Sequence, residues 1–365
     1  MSRSRHVFDL PLFITTIFIL AIGLVMVYSA SAVLALHQFG DSWFFVKRQL
    51  FFAGLGLIAL LIVQKLDYTF LQKWAKPLLF VCFFLLIIVL IPGVGIVRGG
   101  ARSWLGIGSF GIQPSEFMKI GLIIFLAAYL SRRLSVLHLF FKGLLPPLLL
   151  IGLAFGLIML QPDLGTGSVL LGATMIMLIA AGMRFKHLLG LSMIGVAGFV
   201  VLILVAPYRL KRITAFLDPW QDPLGAGYQA IQSLYAIAPG GLFGLGLGNS
   251  RQKYSYLPEP QTDFIFAIIA EELGFIGAAI VILLFALMIW RGLRIAVCAP
   301  DIFSTLLASG IVGMLAVQVI INIGVVIGLM PVTGITLPFI SYGGSSLTLM
   351  LLSVGILLNI SRYAR

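Results

Sequence analysis

Residues 263–290 read DFIFAIIAEELGFIGAAIVILLFALMIW, an apolar run interrupted only by the carboxylates of Asp263, Glu271 and Glu272. A helix needs roughly 20 mostly apolar residues to cross a bilayer, so the stretch predicts a membrane span. A carboxylate next to hydrocarbon is costly, and it marks either a function or a buried partner. The rest of the chain has the same character. Of its 365 residues, 61% are hydrophobic and 10% are charged, with a mean hydropathy of +1.13. Soluble domains carry about 25% charged residues. The expected fold is an all-α polytopic integral membrane protein, a single membrane domain over 1–365. About ten spans are expected, at 11–31, 49–64, 77–92, 115–131, 144–160, 164–182, 187–206, 263–290, 303–329 and 342–360. The first apolar run exceeds the roughly 7–15 residues of a secretory signal core, which predicts an uncleaved span.

Ten spans put both termini on one side. Placed inside, they leave 14 of the 24 Lys and Arg residues on the inner face, against only Asp9, Asp67 and Asp301 among the acids. Orientation follows the Lys/Arg excess, so both termini are expected in the cytoplasm. The net charge of +12 then describes the cytoplasmic face and not a nucleic-acid surface. Cys82 falls in a span and Cys298 in an inner loop, so no disulfide is expected, and the two cysteines and four histidines show no metal-ligand spacing. Two long connections are expected outside. One is the Gly-rich segment 93–114. The other, 207–262, is a large extracytoplasmic loop between helices seven and eight, far longer than ordinary connections. Within it, GYQAIQSLYAIA sets Tyr228, Ile231, Leu234 and Tyr235 against Gln229, Gln232 and Ser233, the pattern of an interfacial amphipathic helix.

Asp263 follows PEPQT and has two readings: a cap stabilised by the helix dipole, or a functional group. Pro258 and Pro260 stiffen the approach, and SRQKY just upstream brings Arg251 and Lys253 to the same side, which favours function. At about 100° per residue, Glu271 lies roughly 80° round the helix from Asp263 and Glu272 on the opposite side from it, and both are expected to hydrogen-bond or ion-pair between helices. Glu116 and Lys119, three apart, share a helix face and predict a structural ion pair, with substrate contact as the alternative. Asp163 in QPDLGTGS has the position of a cap. PGGLFGLGLGNS, 239–250, carries a GxGxG pattern without the strand and helix of a nucleotide-binding unit. It is expected to be flexible backbone beside a bulky ligand. PVTGITLPFISYGGSS, 331–346, predicts an irregular segment lining a cavity, where such backbone is tolerated at membrane depth.

GARSW, QPSEFMK, QPDLGTG, YQAIQSLYAIAPGGLFGLGLG, SRQKY, LPEPQTDFIFA and LPFISYGGSS occur in this order over nearly the whole chain. Together they resemble the SEDS family (shape, elongation, division and sporulation), closer to its sporulation and division branches than to its elongation branch. The resemblance implies a multi-pass peptidoglycan glycosyltransferase of the bacterial plasma membrane. It would polymerise lipid II at the outer face, with the growing glycan chain as second substrate and a class B penicillin-binding protein as partner. The family's essential aspartate matches Asp263.

Lipid II carries its sugar α-linked to pyrophosphate and the product is β-1,4-linked, so transfer inverts the anomeric carbon. A single displacement needs one base and no covalent nucleophile. Asp263 would take the proton of the acceptor 4-hydroxyl, with its pKa raised by partial burial. The departing pyrophosphate needs positive charge. Arg251, Lys253 and Arg102 are the foremost candidates, followed by Arg48, Arg209 and Arg212, or a divalent cation (Mg or Mn) whose ligands the sequence does not identify. Gln229, Gln232, Gln261 and Ser341 complete the expected substrate-binding set. A lipid II flippase would instead need alternating access, for which no inverted repeat is visible. A non-catalytic scaffold for the penicillin-binding protein would need none of the outer charges. The motifs do not separate division, elongation and sporulation.

Overall fold

A computed structural model describes residues 8–98, 100–107, 110–205, 207–254 and 256–364. Among these residues the helices are α1 (Leu10–Phe39), α2 (Phe44–Val63), α3 (Thr69–Ile88), α4 (Pro114–Leu130), α5 (Leu145–Met159), α6 (Leu164–Ala180), α7 (Phe185–Val205), α8 (Pro207–Leu217), α9 (Tyr228–Ile237), α10 (Ile265–Val297), α11 (Ile302–Val326) and α12 (Gly344–Ser361). The fold is thus mostly helical, and every expected span falls on a helix. Among the described residues seven helices are long and apolar enough to cross a membrane: α1, α2, α3, Phe140–Met159 containing α5, α10, α11 and α12. Leu164–Ala180 and Phe185–Gly198 are shorter apolar helices. The Asp9 amide, at the start of α1, donates to Ser361 Oγ, at the end of α12, at 3.0 Å. Residues 9 and 361 therefore lie at the same end of the bundle.

α11 and α12 form the interior, with 72% of their apolar windows buried, whereas α3 reaches only 22% and turns Trp74, Phe80 and Phe84 outward. α11 touches α4, α6, α10 and α12, while α2 packs on α12, α3 on α4 and α1 on α10. Small residues allow the close crossings. Gly355 of α12 faces the Leu60 backbone of α2, where a side chain would have no room. The Gly-rich connection 93–114 holds a small antiparallel sheet, β1 (Ile96–Arg98), β2 (Ala101–Ile107) and β3 (Phe110–Ile112), in the order β1-β2-β3.

α10 has 33 residues and would span about 50 Å if straight, well beyond the roughly 30 Å of hydrocarbon. It is broken at Gly274, whose φ of 68° and ψ of −166° lie outside the helical region. Before the break Ile265–Glu272 are buried; after it Phe275 and Leu283 are each 66% exposed, as lipid-facing residues would be. The break frees backbone groups, and the segment after α9 takes them up. Phe275 N–H donates to Gly241 O at 2.8 Å and Ile276 N–H to Leu242 O at 3.2 Å, while Leu245 and Gly246 N–H donate to the Glu271 and Glu272 carbonyls at 3.0 Å each. A Cβ on Gly244 would sit 2.1 Å from Glu272 O. The glycines of PGGLFGLGLG therefore serve close backbone approach to a broken helix, which corrects the expectation of flexible backbone beside a ligand.

Candidate active site

Asp263 lies in the turn before α10 and is half-buried. Its position is set by α11, where Asn322 Nδ2 donates to Asp263 O at 2.8 Å and to Ile335 O at 2.7 Å. One turn earlier on the same face, Gln318 Nε2 donates to Thr336 O at 3.0 Å. Two amides at i and i+4 thus clamp the non-helical stretch between α11 and α12 beside the aspartate. Gly334 of that stretch backs the carboxylate, where an added Cβ would lie 3.6 Å from Asp263 Oδ2. Ser341 Oγ donates to Thr262 O at 2.6 Å and accepts from Leu337 N–H at 2.7 Å, and Tyr342 N–H donates to Gln261 O at 2.8 Å. The segment 259–263 is therefore stapled to 337–342. Gln49 of α2 extends the staple by donating to Ser341 O at 3.0 Å.

Burial pushes the Asp263 carboxyl up to about 7, the negative charges of Glu259 and Asp163 add to the rise, and Arg212 opposes it. Glu259, at a φ of 50°, accepts from Gln261 Nε2 at 3.2 Å and Thr262 Oγ1 at 3.4 Å. Asp163 caps α6 by accepting from Thr166 N–H at 3.0 Å, and its other oxygen accepts from Gln113 Nε2 at 2.9 Å. Its pKa is also raised, chiefly by burial. Glu116 and Lys119 form an ion pair of 2.7 Å with side chains 6% and 2% exposed, and Lys119 Nζ donates onward to Gln318 Oε1 at 3.2 Å. A polar seam thus runs from α4 through α11 to the aspartate.

Glu271 and Glu272 belong to a second cluster. Ser250 Oγ and Arg251 N–H donate to Glu271 at 2.5 and 2.8 Å; Ser29 Oγ, at 2.6 Å, Ser250 N–H, at 3.1 Å, and Lys253 Nζ, at 3.2 Å, donate to Glu272. Helical geometry alone turns the two glutamates apart, yet both meet residues 250–253, because the chain folds back over the break in α10. Lys253 is 6% exposed and is held by Glu272 and the Gly248 carbonyl. It is not free to meet a substrate, which corrects the expectation placed on it.

The other expected substrate residues are scattered. Arg251 is exposed beside Gln252, Tyr254 and Tyr256. Arg102 lies on β2, partly buried, and Arg48 stands 5.0 Å from the Phe44 ring centre. The side chain of Arg209 lies outside the described residues. Ser341 and Gln261 act on the backbone staple. Gln232 is half-buried on α9. Arg212 and Gln229 line a cavity of about 600 Å³ between α8, α9 and the 325–332 segment. α9 itself buries Ile231, Ser233 and Ala236 against α10 and α11 and leaves Leu234 and Tyr235 exposed, a different face from the one its pattern suggested. Among the described residues no group of three or more His, Cys, Asp or Glu has metal-holding geometry. Sequence reasoning missed Gln49, Gln113, Gln318 and Asn322. Their signal is an uncharged amide inside an apolar span or at its mouth.

A family model described as a cell cycle protein, FTSW_RODA_SPOVE, matches residues 10–365. The stage V sporulation protein E of Bacillus subtilis is 60% identical over 365 residues, covering 100% of both chains. The probable peptidoglycan glycosyltransferase FtsW of Trichlorobacter lovleyi is 47% identical over 354 residues, 97% of this chain and 93% of that one. Among solved structures, a chain from work on the structural coordination of polymerization and crosslinking by a peptidoglycan synthase complex superposes with a TM-score of 0.80. It is 35% identical, over 97% of this chain and 98% of that one. The Thermus thermophilus rod shape determining protein RodA superposes with a TM-score of 0.73 at 32% identity, over 98% of each chain.

Proposed function

The chain belongs to the FtsW/RodA/SpoVE family and is a peptidoglycan glycosyltransferase, and from that premise we propose that Asp263 is the general base with which it polymerises lipid II. One observation carries the assignment. The chain has 12 acids, and Asp263 is the one whose carboxylate has no hydrogen-bond partner among the described residues. Glu116 is spent on Lys119, Glu271 and Glu272 on the 250–253 turn, Asp9 on Arg291, and the others on caps, turns or surface pairs. A half-buried acid that no protein group satisfies is one that a structural role does not explain.

In the reaction the acceptor 4-hydroxyl oxygen attacks the anomeric carbon while the bond from that carbon to the pyrophosphate oxygen breaks. The hydroxyl proton passes to Asp263, and the electron pair leaves with the pyrophosphate. A base titrating near 7 is about half ionised at neutral pH and is basic enough to assist. The Lys/Arg bias supports a plasma-membrane orientation with the Asp263 end outside and the Asp9 end in the cytoplasm. The likeness to a chain of a peptidoglycan synthase complex supports a class B penicillin-binding protein as partner.

The test is polymer formation by the purified chain with its penicillin-binding partner and lipid II. Asp263→Asn keeps the shape of the side chain but cannot accept the proton. Its turnover should fall about 10²-fold to 10⁴-fold while lipid II binding is retained. Near wild-type glycan synthesis by that variant would end the assignment.

A further inference from the structure

Two buried glutamates, an ion pair and a serine of α1 hold one short turn of the outer loop. Glu271 and Glu272 fix the backbone of residues 250 and 251, Ser29 secures Glu272, and Lys253 is tied to Glu272 and to the Gly248 carbonyl. The turn also closes on itself, with Tyr254 N–H donating to Arg251 O at 3.3 Å and Leu257 N–H to Gln252 O at 3.0 Å. This fixed base carries side chains that stand in the open. Tyr254 and Tyr256 are each 56% exposed, and Arg251 is exposed beside them. With Gln252 they line an open depression of about 500 Å³. The anchored Lys253 ammonium lies 6.0 Å from the centre of the Tyr254 ring, a contact that ties the ring to the buried anchor. Gln252 Oε1 is buried and has no hydrogen-bond partner among the described residues. A buried acceptor without a donor marks a missing partner.

We propose that this depression is a subsite for the growing glycan strand, with pyranose rings on Tyr254 and Tyr256, a sugar hydroxyl donating to Gln252 Oε1, and Arg251 pairing with the strand's carboxylates. The assignment rests on the glycosyltransferase reading above and identifies where the polymer lies beyond the base. An amino-sugar strand offers the matching chemistry. The C–H faces of its β-linked rings are apolar and fit flat aromatic rings, its hydroxyls donate hydrogen bonds, and its lactyl and peptide carboxylates suit a guanidinium. Tyrosine supplies a large contact area with few torsions to freeze, so an exposed pair on a fixed turn binds at small entropic cost. The seven-residue step from Tyr256 to Asp263 covers at most about 25 Å, which keeps the platform within a few sugars of the chemistry. A strand held there stays beside the base between additions, and that raised effective concentration favours long products.

The probe is a soluble, uncross-linked strand fragment of four disaccharides with its peptides, titrated calorimetrically onto the full Asp263→Asn chain in nanodiscs. Adding Tyr254→Ala with Tyr256→Ala should weaken its binding at least about 10-fold, the effect of losing two aromatic contacts. Tyr254→Phe with Tyr256→Phe should retain most of the affinity, which separates a lost platform from a damaged turn. A neutral β-1,4-linked N-acetylglucosamine oligomer of the same length should bind more weakly than the acidic strand, and Arg251→Gln should erase that preference. With Asp263 intact, the Ala pair should make shorter strands from lipid II. Unchanged strand affinity and product length in the Ala pair overturn the subsite. So does an Ala pair that loses only its penicillin-binding partner, since the depression would then be a protein interface. Glycan synthesis by Asp263→Asn would end the base assignment alone, because the titration contains no lipid II.

Discussion

Asp263 differs from the other acids in combining an environment that favours the proton with a carboxylate that no described protein group binds. With the carboxyl pushed up to about 7, the rate should fall as pH drops through 7, since only the ionised form accepts a proton. Removing the negative neighbour with Glu259→Gln should shift that acid limb to lower pH, because Glu259 is second only to burial in raising the pKa. A pH profile of polymerisation checks both points. The same shift bears on stability. The folded pKa exceeds the ordinary 3.8, so the contribution of this site is fully present below 3.8 and is lost as pH rises through about 7. Asp263→Asn should remove that dependence. At this scale the sequence marks Asp263 as a candidate, because proline-stiffened flanks and a carboxylate at a span mouth are local signals. It does not reveal that Lys253 is consumed, because the Lys253–Glu272 pair closes across a fold-back that no local periodicity encodes.

Elements were legible wherever hydrophobic length decides, which is why the long helices follow from hydropathy alone. The break in α10 was not, because its cause is tertiary. Gly274 reads as an ordinary glycine in an apolar run until the 241–246 segment lies against it. β1–β3 escaped notice for a related reason, since strands of three to seven residues separated by glycines carry no measurable alternation. On α4, Glu116 and Lys119 pair where water is excluded. Glu116→Gln or Lys119→Met alone should cost about 3–5 kcal/mol by stranding a buried charge, whereas the two together should approach wild-type stability. Thermal unfolding in a fixed detergent measures the difference. A double variant that is stable and still inactive would show that the seam through Gln318 reaches the chemistry.

For the whole molecule, orientation decides which surface meets lipid II. Leu224 is 89% exposed at the Asp263 end, and Ser135 is exposed in the connection after α4 at the other end. In intact cells Leu224→Cys should react with a membrane-impermeant thiol reagent and Ser135→Cys should not; the reverse would place the proposed site in the cytoplasm. Ser250, which lies in the same long loop, would be a poor reporter because it is buried on Glu271. That difference follows from the fold, since a loop of this length looks uniformly accessible in sequence.

The hydrogen bond between the Asp9 amide and Ser361 Oγ makes the bundle nearly a closed ring. Asp9 also pairs with Arg291 of α10, and Asp301, which caps α11, accepts from Tyr68, so the turn at 298–301 opens at that same end. The order in which the helices are synthesised is then separable from the architecture they build. A circular permutant in which a short linker joins the end of α12 to the start of α1, opened between Ala299 and Pro300, keeps every span in its original direction. It should insert, fold and polymerise at rates close to those of the parent, and a glycan-synthesis assay on the purified permutant measures how closely.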